Sequence, residues 1–231
     1  MLQSTNSRTS HVFILPRPAA DQGKQLYQQP ATLSDAMTIM AHFDARAYER
    51  YYAGSPCLDH LLTLSKLNVL RAFLENMRIL GLGMQQVEDD DAISPFNHNV
   101  NVTSTDPEPG DYDYGRTLSL PTSLYPSVIQ RSATHHPWLD CFPLPRMRDN
   151  LINAAAADEQ LFNDCDLCGD MMDPADEDVG VLVWGDPWIP QNWEVSQLFV
   201  QKWSWVIKGC PEILESSNRW RARRGLKRLA I

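Results

Sequence analysis

The sequence predicts a mainly α protein: one helical domain of about six or seven helices, joined by Trp- and Pro-rich connectors, with at most a short strand pair. Three observations carry this. Residues 57–80 hold apolar side chains at Leu58, Leu61, Leu62, Leu64, Leu67, Val69, Leu70, Phe73, Leu74, Met77 and Leu80, so apolar positions cover well over half of a helix's circumference. A helix of that kind belongs at the centre of a domain. Residues 146–162 are Ala-rich and favour helix by propensity. Two Trp-Pro segments, His135-His136-Pro137-Trp138-Leu139-Asp140-Cys141-Phe142-Pro143 and Leu182-Val183-Trp184-Gly185-Asp186-Pro187-Trp188-Ile189-Pro190, describe stiff, non-helical, buried connectors. Proline fixes φ and removes a donor, and tryptophan brings a large apolar body whose N–H needs a partner.

In chain order, residues 1–30 are rich in Ser, Thr, Gln and Pro and read as a disordered tail. The helical domain is expected over residues 31–225. Ser34 precedes a helix over Ala36–Tyr52, which Gly54-Ser55-Pro56 ends. The helix over 57–80 stops at Gly81-Leu82-Gly83 through a left-handed C-cap. Its apolar stripe is too broad and too short for a leucine zipper, which needs a narrow seam held for three or four heptads. Residues 85–117 carry Glu88, Asp89, Asp90, Asp91, Asp106, Glu108, Asp111 and Asp113 before the first base, Arg116, and read as a flexible acidic loop. A short helix follows from Pro126 to Thr134. Pro145 then occupies a first helical turn. Val179–Trp184 is a short strand or extended core segment. Ser196, or Trp193-Glu194 just before it, opens a helix through Ile207 that Gly209 closes. Pro211 begins a last helix that runs into a basic tail at 226–231.

Composition bounds function. No apolar run approaches the roughly 20 residues of a membrane helix. The run Val12–Leu15 is too short for a secretory signal, and a sparse, odd set of five cysteines suits a reducing compartment. The net charge of −9 is unevenly placed. Residues 219–231 carry Arg219, Arg221, Arg223, Arg224, Lys227 and Arg228 without an acid, which leaves −15 on the preceding residues. Such asymmetry speaks of partners.

Cys165-x-x-Cys168 is half of a zinc pattern whose second pair is missing, and its flanking acids oppose thiolates, so no metal is expected. Cys141 near His135, His136 and Asp140 lacks a nucleophile elbow, and sequence proximity does not assemble a triad. The expected roles are packing for Cys141, a connector cap for His136 and a local turn acceptor for Asp140. Gly81-x-Gly83 follows a helix and lacks a third glycine, so no nucleotide cofactor is expected. The tryptophans from Trp184 to Trp205 form a core with a partner-facing edge, or line a small-molecule pocket. The C-terminal arginines satisfy the helix dipole and pair with the acids of 158–178, serve as a nuclear-import address, or meet phosphates with Trp220 stacking on a base.

The two Trp-Pro segments, with Pro145-Arg146-Met147-Arg148-Asp149-Asn150-Leu151, Trp193-Glu194-Val195-Ser196, Gly209-Cys210-Pro211-Glu212 and Trp220-Arg221-Ala222-Arg223-Arg224-Gly225, resemble a fungal domain of uncharacterised function. That domain commonly lies C-terminal to bZIP regions in transcription factors. The resemblance covers roughly residues 55–225, with Leu58–Ala72 similar to its first long helix. It implies a non-enzymatic nuclear transcription regulator, associated in some cases with secondary-metabolite gene clusters. Nothing before residue 130 has the charge density of a bZIP basic region. The expectation is therefore regulation through protein contacts made by Trp188, Trp193, Arg219, Arg221, Arg223 and Arg224, with a DNA-bound transcription factor as the kind of partner. The alternatives are a small-ligand protein or enzyme using a Trp-lined pocket, and direct DNA binding by the basic helix.

Overall fold

A computed structural model describes residues 58–97, 120–157, 164–172 and 180–230, with the isolated positions 34, 37, 38 and 41. The tail at 1–30, most of the helix expected over 36–52 and the acidic stretch from 98 to 117 lie outside the described residues. Positions 34, 37, 38 and 41 are helical, and Met37 packs against the core. Among the described residues there are seven α-helices and one two-stranded sheet, so the protein is mainly α.

The central helix, α1 (Leu58–Leu80), is the one the apolar run predicts. It packs against β1 (Val181–Val183), α5 (Asp164–Met172) and the 3-10 turn Pro137–Cys141. Phe73 is the hub of its buried face. Its ring lies 5.0 Å from Phe142, 6.2 Å from Trp138 and 6.1 Å from Trp193, centroid to centroid. Gly81 at φ 72° ends the helix, with Leu82 N–H donating to Met77 O at 2.9 Å and Gly81 N–H to Arg78 O at 3.2 Å. This is the paired bonding of a Schellman cap, which glycine enters without steric cost. Two asparagines of α1 tie the rest of the fold to it. Asn68 donates to Val183 O at 2.8 Å and accepts from Val183 N–H at 2.6 Å. Asn76, fully buried, donates to Cys141 O at 2.8 Å and to Pro187 O at 3.2 Å. One side chain of the central helix thereby holds both Trp-Pro connectors.

The acidic excursion starts later than residue 85. Met84–Glu88 forms α2, with Met84 and Val87 buried, and Ser94, Phe96 and Asn97 are buried after it. Ser94 N–H donates to His135 O at 2.8 Å. The acids at 88–91 mark only the exposed outer side of this turn, while the apolar and polar groups beside them anchor it.

The short helix α3 (Val128–Ser132) is fixed by a capping box, in which Ser127 Oγ accepts from Gln130 N–H and Ser127 N–H donates to Gln130 Oε1. Next come the 3-10 turn Pro137–Cys141 and α4 (Pro145–Ala157), with Pro145 in the first turn as expected. Met147, Arg148, Leu151 and Ile152 form its buried face. In α5, Leu167, Cys168 and Met171 face the core.

The predicted strand is β1, and it pairs antiparallel with β2 (Trp193–Val195) in the register Val181↔Val195 and Val183↔Trp193. Trp193-Glu194 therefore belongs to a strand and does not open a helix. Trp193 and Val195 serve the core while Glu194 faces the opposite side of the hairpin, a period of two that helical geometry does not provide. Ser196 is the true N-cap, accepting from Phe199 N–H, and α6 spans only Gln197–Lys202. The expected continuation through Ile207 is replaced by turns. Trp203 Nε1 donates to Asp170 Oδ2 at 2.7 Å, and Asn150 Nδ2 donates to the carbonyls of Val206 and Lys208, both at 2.9 Å. The two Asn150 bonds satisfy backbone carbonyls that a continued helix would have satisfied internally, while the Trp203 bond holds the indole in place. Gly209, at φ 76°, turns the chain into α7 (Pro211–Arg223).

Candidate functional site: an arginine–tryptophan stack

Two polar clusters stand out, one buried and one exposed. The buried one gathers the residues nearest to a hydrolase-like set. Asp140 is not a local turn acceptor. Its Oδ1 accepts from His135 Nε2 at 2.9 Å and Gln130 Nε2 at 2.6 Å, and its Oδ2 from Ser94 Oγ at 2.6 Å. His135 also faces Ala133 O through Nδ1 at 2.7 Å. A carbonyl and a carboxylate both accept, so the protonated imidazolium, with an N–H on each ring nitrogen, is the form that satisfies both partners. Arg148, at 0% exposure, completes the network: Nε donates to Gln130 Oε1 at 2.9 Å, and its two Nη groups serve the carbonyls of Ser123, Phe142 and Tyr125. Burial brings its pKa down to about 10 while Asp140 opposes the fall, so it remains charged at neutral pH. Cys141 is core, and burial, followed by the charge of Asp140, pushes its thiol well up, away from the thiolate that a nucleophile needs. His136 caps the 3-10 turn, its Nδ1 accepting from Trp138 N–H at 3.3 Å. This cluster joins three segments of backbone.

His135 gives the network a pH signature. Burial alone lowers its pKa, but the hydrogen bond and charge of Asp140, with the Ala133 carbonyl, outweigh it and the net direction is up from 6.5. The folded value exceeds the unfolded one. The stabilisation is then complete below pH about 6.5 and is lost as pH rises through the folded pKa. Urea unfolding measured across this range is expected to show that decline in the parent protein, and a flatter profile in His135→Gln.

The exposed cluster lies where α7 packs against β2 and the 3-10 turn Pro190–Asn192. Trp184, 41% exposed, stacks on Trp220 with ring centroids 5.1 Å apart and planes at 18°. Arg224 sits over Trp184 at 4.8 Å, and Arg223 over Trp220 at 4.7 Å, with Arg219 at 5.8 Å. Each such contact contributes about 0.5–1 kcal/mol at an exposed site. The frame beneath is hydrogen-bonded. Trp184 Nε1 donates to Glu194 Oε2 at 2.8 Å, and Glu194 Oε1 pairs with Arg224. Trp220 Nε1 donates to Gln191 O at 2.9 Å, and Arg219 donates to the same carbonyl.

The expected site residues are thus redistributed. Trp193 is withdrawn from the surface: it is 1% exposed, and its Nε1 donates to Pro187 O at 2.7 Å. Its place on the inward side of β2 accounts for this. Trp188 is half-buried against the core, and its carbonyl accepts from Ser123. Arg219, Arg223 and Arg224 enter the stack. Arg221 turns instead to Lys227 O at 2.7 Å. Among the described residues, the pairing expected between these arginines and the acids of 158–178 is not found, and most of those acids lie outside the described residues. Arg224 takes Glu194, and Asp170 takes Lys202 at 2.7 Å. The basic tail is docked. Leu229 is buried, its N–H donates to Asn218 Oδ1, and Ala230 exchanges hydrogen bonds with Gln197. The helix ends at Arg223, so Lys227 does not extend the row of Arg219 and Arg223 along it. Trp184 was grouped with the tryptophans of the core and its edge but not with the contact residues, and Glu194 was not singled out as one. Trp184 lies in the second Trp-Pro connector and Glu194 a few residues after it, and neither position reveals that α7 closes over them.

Among the described residues, no group of three His, Cys, Asp or Glu side chains could hold a metal ion. Among the same residues, no helix is long and apolar enough to cross a membrane. Fold and site define a mainly helical domain that carries a basic, aromatic-braced surface. Residues 111–214 match the family described as Domain of unknown function (DUF3425), in agreement with the uncharacterised domain that the motif string resembles. The match takes in both Trp-Pro connectors and, of the buried network, every member but Ser94; α7 beyond residue 214 follows it. No curated protein and no solved structure gives a significant match.

Proposed function

We propose that the protein is a non-enzymatic transcription regulator of the bZIP-associated type that works in the nucleus through protein contacts, with a secondary-metabolite gene cluster as its target. The DUF3425 match supports the general class. The observation that carries protein contact is the stack of Trp184 and Trp220 braced by Arg219, Arg223 and Arg224, since exposed Trp and Arg held in fixed geometry have the composition of interaction hot spots. The half-buried Trp188 belongs to the same connector as Trp184. The test is affinity capture from nuclear extract with the full chain as bait, alongside Trp188→Ala and Arg223→Ala. A defined partner is expected with the parent and is lost with Arg223→Ala while the circular dichroism spectrum is unchanged. A capture pattern identical for parent and Arg223→Ala would reject this surface as the contact.

A further inference from the structure

Resting on that reading, we infer that the arginine–tryptophan stack receives an acidic segment of a partner protein, with carboxylates seated on the free edges of Arg223 and the neighbouring Lys227 and Arg228. Arg223 lies over Trp220, and no carboxylate pairs with it among the described residues. A guanidinium laid on an indole keeps its in-plane N–H edges outward, and those edges match a carboxylate in a two-point fork. The ring holds the fork in place before the ligand arrives, so little side-chain freedom is lost on binding. Lys227 and Arg228 are exposed on a segment whose backbone is fixed to α7 through Arg221 and Asn218. The donors are therefore mounted on anchored chain.

Two observations favour an acidic peptide over nucleic acid. The indoles are stacked on one another and each also bears a guanidinium, so a base would compete for ring faces with contacts already made. The charge is also local. Arg219 and Arg223 are one helical turn apart, about 6 Å, whereas a duplex carries a phosphate charge about every 1.7 Å over its whole length. A long polyanion reaching past this patch meets a chain that carries −15 outside it. A short acidic segment stays on the patch.

The experiment uses fluorescence anisotropy on the full chain with a labelled peptide of alternating aspartate and glutamate. Its asparagine–glutamine counterpart is the uncharged control, and single- and double-stranded oligonucleotides serve as rival ligands. Saturable binding of the acidic peptide is expected, weakened by salt, with no binding of the control. Arg223→Glu should weaken it by about tenfold or more, and Arg223→Lys by less, because lysine keeps the charge and loses the planar fork. Both variants change an exposed side chain, and unchanged thermal melting establishes that they are folded. Binding of the oligonucleotides in preference to the peptide would overturn the inference in favour of nucleic acid. Equal peptide binding by parent and Arg223→Glu would overturn it as well. If the nuclear partner is captured through Arg223 but the acidic peptide neither binds nor competes, this inference falls and the protein-contact reading stands.

Discussion

Arg148→Ala is expected to destabilise the domain by about 3–5 kcal/mol, read as a lowered urea midpoint. Its guanidinium is fully buried and serves Gln130 Oε1 and the carbonyls of Ser123, Tyr125 and Phe142. Alanine strands those acceptors without water and leaves a space that the packed neighbours refill only in part. It also leaves the buried Asp140 without the second positive charge that faces it. Arg148→Lys keeps a charge but offers three donors on one nitrogen, so it cannot reach the carbonyls and Gln130 from a planar fork. An intermediate loss follows. Combining Arg148→Ala with Asp140→Ala should cost less than the sum of the two, because both act on one network. Additive losses would show the two groups to be independent, and a loss below about 1 kcal/mol for Arg148→Ala would mean that water reaches the carbonyls.

That network also marks the limit of what was legible beforehand. The helix α1 was visible because so many of its positions are apolar, and its end was visible because Gly81 and Gly83 leave few alternatives. The connectors were visible through Trp and Pro. A buried arginine, by contrast, reads like an exposed one. Nothing beside Arg148 in Pro145-Arg146-Met147-Arg148 tells that Arg146 faces solvent while Arg148 is sealed among carbonyls. The difference is made by Ser123, Gln130 and Phe142, which the chain brings in from other elements. The same holds for Asp140, whose partners Ser94, Gln130 and His135 come from three segments. At the surface the basic run was plain, yet the pairing of Arg224 with Glu194 and of Trp220 with Trp184 depends on α7 crossing β2. Short strands are hard to see for a related reason. Three residues give one alternation, and Trp193-Glu194-Val195 fits a helix start as well as it fits a strand until Val181–Val183 is found beside it.

Trp193→Ala is expected to cost about 3–5 kcal/mol, enough to unfold a marginal domain. The ring is packed against Phe73 at 6.1 Å and Phe142 at 6.0 Å, in the cluster that joins α1, the first connector and β2. Its loss opens a cavity at the junction of three elements and removes the indole donor to Pro187 O. Trp193→Phe separates the two effects. It keeps most of the apolar volume, and Pro187 O still accepts from Asn76 at 3.2 Å, so the loss should fall to about 1–2 kcal/mol. Thermal melts of the three proteins decide the matter. Near-equal stability of Trp193→Ala and parent would place the residue at the surface, where the sequence alone had put it among the partner contacts. The outcome also governs how binding experiments are read. A variant that loses a partner because its core has collapsed says nothing about the contact surface, so Trp193 cannot test docking. Arg223, whose ring partner Trp220 is braced from the side by Gln191 O, can.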